Sequence, residues 1–157
     1  MGACRESFAT AYEWYLAGDW SSDDKLSAMA RSQLDESDII SFHNYSWPEE
    51  FEKRVEWLER YNRPIICTEF IARPAGSTFD TILPIAKKHH VDAINWGLVA
   101  GTTQTYLPWD SWQRPYVLEK PPVWFHEVFL PDGTPYRERE VKVIRELTSG
   151  TTGGLAQ

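Results

Sequence analysis

The chain has 157 residues and a formal net charge of −7, with the acidic residues spread along it rather than blocked. That length fits one domain with enough chain to bury a core, and an acidic balance lacks the basic footprint that a nucleic-acid partner needs. No apolar run approaches the ~20 residues of a membrane span, and the opening MGACRESFATAYEW has no basic-then-apolar layout of a secretory leader.

Taken in chain order, residues 3–17 read as a helix, with Phe8, Tyr12, Tyr15 and Leu16 at helical spacing and Gly18 as its stop. A second helix follows in DWSSDDKLSAMARSQL. Ser21 or Ser22 is its expected N-cap, Asp23 and Asp24 fall in its first turn, and Leu26, Met29, Ala30 and Leu34 form one face. SDIISFHNY, residues 37–45, is a short β-type run. Residues 46–64 are a clear helix, with Pro48 at the first helical position, Glu49 and Glu50 behind it, and Phe51, Val55 and Leu58 on one side. PIICTEF, residues 64–70, is the next strand. Ser77 or Thr78 should cap the following helix, and Pro84 inside it predicts a kink or a late start. VDAINWGLVAG, residues 91–101, reads as a third strand.

Apolar strands alternating with helices predict parallel βαβ units with both faces of the sheet covered. After Gly101 the rhythm changes to a Pro- and Trp-rich loop over residues 102–136, then a last helix over 137–147 and a Gly/Thr-rich, flexible tail over 148–157. The fold class is therefore α/β, with about three to four parallel strands flanked by helices over residues 1–147. Cys4 and Cys67 read as reduced thiols without a role. His89 and His90 end a helix, where they suit its dipole, and no Cys/His spacing calls for a metal or other cofactor.

Polar and aromatic residues fall at the carboxyl end of each expected strand: His43-Asn44-Tyr45, Thr68-Glu69, and Asn95-Trp96. In parallel α/β folds, ligands bind at those ends. A carboxylate beside a phenol and an imidazole suits a nucleophile, and an indole offers a face to a sugar ring. Retaining glycoside hydrolysis uses such a carboxylate with a second carboxyl about 5–5.5 Å away. The plainer alternatives are that Glu69 is an ion-paired strand end, that His43 is a satisfied buried histidine, and that Trp96 belongs to the core. Trp109 and Trp112 suit either further sugar platforms or packing of their loop. Glu119 and Glu127 are conceivable substitute acids, and Asp110 a conceivable partner for a sugar hydroxyl.

His43-x-Tyr45, Thr68-Glu69-Phe70 and Asn95-Trp96-Gly97, in that order, resemble the last three strands of the cellulase-type, family 5-like (clan A) glycoside hydrolase barrel. The resemblance spans roughly residues 19–147, and residues 1–18 match nothing in it. It implies Glu69 as nucleophile, Tyr45 as its hydrogen-bond partner, His43 as a site-shaping residue, and Trp96 with Asn95 at the sugar. It implies the carboxyl-terminal part of a TIM-type barrel that is typically about 250 residues long. The Asn-Glu pair that holds the acid/base in that family does not occur here. A partial barrel leaves its inner side open, which predicts a homo-oligomer whose copies cover each other. The expected function is retaining hydrolysis of β-linked glycans. The alternative is a non-catalytic, oligomeric half-barrel that at most binds carbohydrate.

Overall fold

The computed structural model describes residues 6–8 and 23–149. Among these, four strands form one parallel sheet in the order β1 (Glu6–Phe8), β2 (Ile39–His43), β3 (Ile65–Glu69) and β4 (Asp92–Ala93). The helices are α1 (Ala28–Glu36), α2 (Pro48–Glu59), α3 (Phe79–Lys88) and α4 (Glu138–Thr148). Strand and helix alternate from β1 to β4, so each strand lies beside its sequence neighbour.

Sequence signals explain most boundaries. Pro48 opens α2 with Glu49 and Glu50 in the first turn, and the helix buries Phe51, Arg54, Val55 and Leu58. The Arg54 guanidinium is balanced by Glu50 one turn earlier, at 2.6 Å. Thr78 caps α3 through a reciprocal capping box with Thr81. The helix runs through Pro84, which lies exposed, so the missing N–H costs one intrahelical bond without ending the helix. Arg63 reaches back to the end of α1, where its guanidinium donates to the carbonyls of Leu34 (2.8 Å), Asp35 (2.6 Å) and Ser37. These are carbonyls that a helix end leaves without partners.

Three expectations need correction. Within the expected helix 3–17, residues 6–8 are instead a strand, paired with Ile39–Ser41 of β2. Parallel pairing to a sheet edge overrides the helical spacing there, as tertiary context commonly does. The rest of that expectation, like the tail from residue 150, lies outside the described residues. The cap of α1 is Ser27, whose Oγ accepts from the Ala30 N–H at 3.1 Å, so Ser21 and Ser22 do not start it. The third strand is also far shorter than 91–101. Beyond Asp92–Ala93, Ile94 still donates to the Cys67 carbonyl (2.8 Å), and then the chain leaves the sheet. Val99 instead bridges Phe129 of the long loop.

The core lies between the sheet and α2, α3 and α4, centred on Phe42, Phe51, Phe70, Ile71, Phe79 and Ile82. The rings of Phe42 and Phe51 meet at 5.8 Å, and those of Phe70 and Phe79 edge-on at 5.6 Å. Cys67 is buried in this core.

One buried charged group fastens the long loop. Arg73 donates from Nε and Nη2 to the Glu140 carboxylate of α4 (2.8 and 2.6 Å). It also donates to the carbonyls of Trp124 (3.0 Å) and Glu127 (2.8 Å), and its guanidinium covers the Tyr136 ring at 5.0 Å. Tyr136 in turn stacks on Trp124 at 4.9 Å. Residues 124–127 are thereby held against the carboxyl end of the sheet.

Candidate functional site

Strand alternation alone would turn Glu69 the wrong way. Ile65 and Cys67 face the helices as part of the core, and Glu69 shares their parity. The register steps instead: Phe42 pairs with Cys67, but His43 pairs with Glu69. Thr68 is the extra residue, and its Oγ1 donates to the Phe42 carbonyl at 3.1 Å. This bulge turns Glu69 to the side of His43. The pairing resumes with Asn44 N–H on the Glu69 carbonyl (2.9 Å). The buried Asn44 side chain then accepts from the Ser46 N–H (2.9 Å), which turns the chain and brings Tyr45 over the strand end.

Three residues singled out from the sequence thus meet. The Tyr45 hydroxyl donates to Glu69 Oε2, and His43 Nδ1 lies 3.2 Å from the same oxygen. Glu69 Oε1 has no partner among the described residues and is not sealed off. Burial, then the bond to Glu69, pushes the Tyr45 phenol well above its usual range, so it stays a hydrogen-bond donor.

Of the tryptophans, Trp109 joins this group. Its ring meets Tyr45 edge-on at 5.3 Å and Phe125 at 5.1 Å, and its other side is open to solvent. Trp112 does not join it. It is 92% exposed and lines a separate hollow of about 570 Å³ with Tyr106, Leu107, Pro115, Tyr116 and Val117. Trp96 is 51% exposed beside the equally open Ile94 and Leu98, on the stretch that leaves the sheet. Asn95 spends its amide on backbone, donating to the carbonyls of Gly97 and His126 (3.1 Å). It therefore ties the long loop to the rim.

His126, which the sequence reading passed over within PPVWFHEVF, belongs to the site. Its ring lies 5.6 Å from Tyr45 and 6.4 Å from Trp109. The spacing of the loop gave no signal for it. Glu127, its neighbour, is fully buried; Oε1 accepts from Thr105 at 2.5 Å and Oε2 has no partner. Burial raises its pKa. Gly97 makes room for this contact, since a Cβ there would sit 2.6 Å from Thr105 Oγ1 and 3.3 Å from Glu127 Cγ. Glu119 is exposed on the outer loop, and Asp110 accepts from the Tyr116 hydroxyl at 3.1 Å.

Among the described residues, one group brings three metal-type ligand atoms within 4.8 Å of one another: Glu52, Glu56 and His89, on the outer face of α2 and the end of α3. His89 is engaged there with Glu59 (2.7 Å) and Glu52 (3.2 Å), and Lys88 with Glu52 (2.6 Å), so Glu52 and His89 already have partners. No helix of the described residues is long and apolar enough to cross a membrane. No protein-family model, curated protein or solved structure matches the chain, so the case for a function rests on the geometry of this rim.

Proposed function

We propose that the chain is a carbohydrate-directed α/β unit in which Glu69 is the nucleophile of retaining β-glycoside hydrolysis. The observation that carries this reading is the asymmetry of the Glu69 carboxylate. Tyr45 and His43 hold Oε2, while Oε1 is left open at the strand ends beside Trp109. In this reading Oε1 attacks the anomeric carbon, the glycosidic C–O bond breaks, and the leaving oxygen departs with the electron pair. Water then releases the sugar from the carboxylate. The exposed faces of Trp109 and Trp96 offer platforms for the ring.

Among the described residues, no second carboxyl contacts Glu69, Tyr45 or His43. General acid help with the leaving group is typically worth ~10²–10⁴-fold. Substrates with an acidic phenol leaving group depart without that help, so they isolate what Glu69 contributes. Dinitrophenyl β-glycosides should be cleaved and alkyl β-glycosides left intact, with Glu69→Gln abolishing the cleavage. If Glu69→Gln hydrolyses the dinitrophenyl substrates at the wild-type rate, Glu69 is not the nucleophile.

The missing acid favours a second reading, a non-catalytic sugar binder. It would give quenching of tryptophan fluorescence by oligosaccharide without turnover.

The partial TIM-type barrel and its completion by a second copy belong to the same proposal. Four parallel strands in sequential order have two free edges, β1 and β4. A two-fold axis along the strands would set β4 of one copy beside β1 of the other and give eight strands. The exposed Ile94 and Leu98 next to β4 support a covered face there. Light scattering that reports only a monomer at micromolar concentration would remove this part.

A further inference from the structure

We propose that His126 is a specificity-determining residue of this rim, its Nε2 accepting a hydrogen bond from a hydroxyl of the bound sugar between Tyr45 and Trp109. This rests on the carbohydrate reading above and adds a recognition group to it.

The position of His126 is fixed by its backbone. Asn95 holds its own carbonyl at 3.1 Å, and Arg73 holds the carbonyls of Trp124 and Glu127 on either side. The ring is fixed as well. Nδ1 faces the Ile71 carbonyl. A carbonyl can only accept, so the proton sits on Nδ1, and the neutral ring carries a bare lone pair on Nε2. Burial pushes the ring's pKa down to about 4, Arg73 adds to this, and the Ile71 bond works against it. The lone pair is therefore present at neutral pH.

Nε2 has no partner among the described residues. It is not fully enclosed either, unlike Asn95 Oδ1 and Glu127 Oε2. It is thus an acceptor left unused on a residue that is otherwise 4% exposed. An accessible acceptor without a protein partner is free to take a ligand donor. The surroundings select among donors. Tyr45 and Trp109 supply ring surface near the imidazole, and Tyr45 already points its hydroxyl at Glu69. A lone pair beside aromatic rings repels phosphate and carboxylate. It suits a ligand with a C–H face and a hydroxyl, which is the chemistry of a neutral sugar.

A histidine that only packs would make the same Ile71 bond, so the test must separate the two ring nitrogens. His126→Asn does so, because its amide N–H lies where Nδ1–H was and nothing replaces Nε2. We expect His126→Asn to keep the wild-type thermal midpoint and to bind cellobiose, xylobiose or mannobiose roughly 3- to 10-fold more weakly by tryptophan fluorescence. In imidazole ¹⁵N spectra of the wild-type chain, we expect the Nδ1–H tautomer, with the Nε2 resonance moving as the disaccharide is added. This second measurement holds even if the variant is poorly folded.

An Nε2–H tautomer overturns the proposal. So does a stationary Nε2 resonance while fluorescence reports bound sugar, and in that case the carbohydrate reading survives. No fluorescence response to any of the three disaccharides removes both.

Discussion

Replacing Arg73 with methionine would keep the unbranched stem of the side chain and remove its charge and its donors. The residue is buried, and its carboxylate partner Glu140 is 2% exposed. Five donor contacts from Nε, Nη1 and Nη2 would vanish: three to Glu140 and one each to the carbonyls of Trp124 and Glu127. The Glu140 charge would be left with Arg137 at 3.4 Å, itself partly solvent-exposed. Stranding one partner of a buried ion pair costs about 3–5 kcal/mol, out of the roughly 5–15 kcal/mol that hold a domain together. With a urea slope of about 2 kcal/mol per molar, the unfolding midpoint should fall by about 2 M. The assay is equilibrium urea unfolding followed by tryptophan fluorescence, with Trp124 as a reporter inside the affected loop. Arg73→Met combined with Glu140→Leu should recover much of the loss, because an apolar pair leaves no charge buried. A midpoint shift below about 0.5 M, or a double variant no more stable than Arg73→Met alone, would refute the assignment of this pair as the fastening of the loop.

Three further outcomes follow from the same structure. The folded pKa of His126, about 4, lies below the ~6.5 of an unfolded histidine. Its stabilising effect is therefore present above ~6.5 and is lost as pH falls toward 4, because the unfolded chain takes up the extra proton. Urea midpoints of wild type and His126→Asn should agree at pH 7 and separate at pH 6 and 5, where only the wild type loses this contribution. Gly97→Ala should destabilise the chain by about 1–3 kcal/mol through overpacking against Thr105 and Glu127, read as a lowered thermal midpoint. Burial raises the Cys67 thiol to about 12, so in a Cys4→Ser chain a thiol reagent should label nothing until urea unfolds it.

Much of the sheet was legible in the sequence because β2 and β3 are compact β-former runs closed by strong helix signals. Pro48 and Thr78 mark their helices as expected. Tyr45, His43 and Glu69 were legible as a trio because they fall at the ends of neighbouring strands, and they do meet. The bulge that makes them meet was not legible. Nothing in Ile-Ile-Cys-Thr-Glu announces that Thr68 will be skipped by the pairing, because the skip is decided across the ladder with Phe42. β4 was overread because Val91–Gly101 has strand composition, while the capture of Asn95 and Val99 by residues 126 and 129 is a long-range event. His126 and the Arg73–Glu140 pair were missed for the same reason. Their partners lie 55 and 67 residues away, and no local pattern encodes contacts of that span. Trp109 and Trp112 looked alike in the sequence, and only the turn of the loop separates them.

The skipped threonine makes the end of β3 tolerant of a lost residue at that one position. Substituting Thr68 would loosen one tether and leave the direction of Glu69 alone. Deleting it would close the bulge and set the acid directly after the core-facing Cys67, so by alternation the acid would still fall on the His43 side of the sheet. A single lost codon there would cost the Thr68 tether to the Phe42 carbonyl and spare the reactive group at the rim.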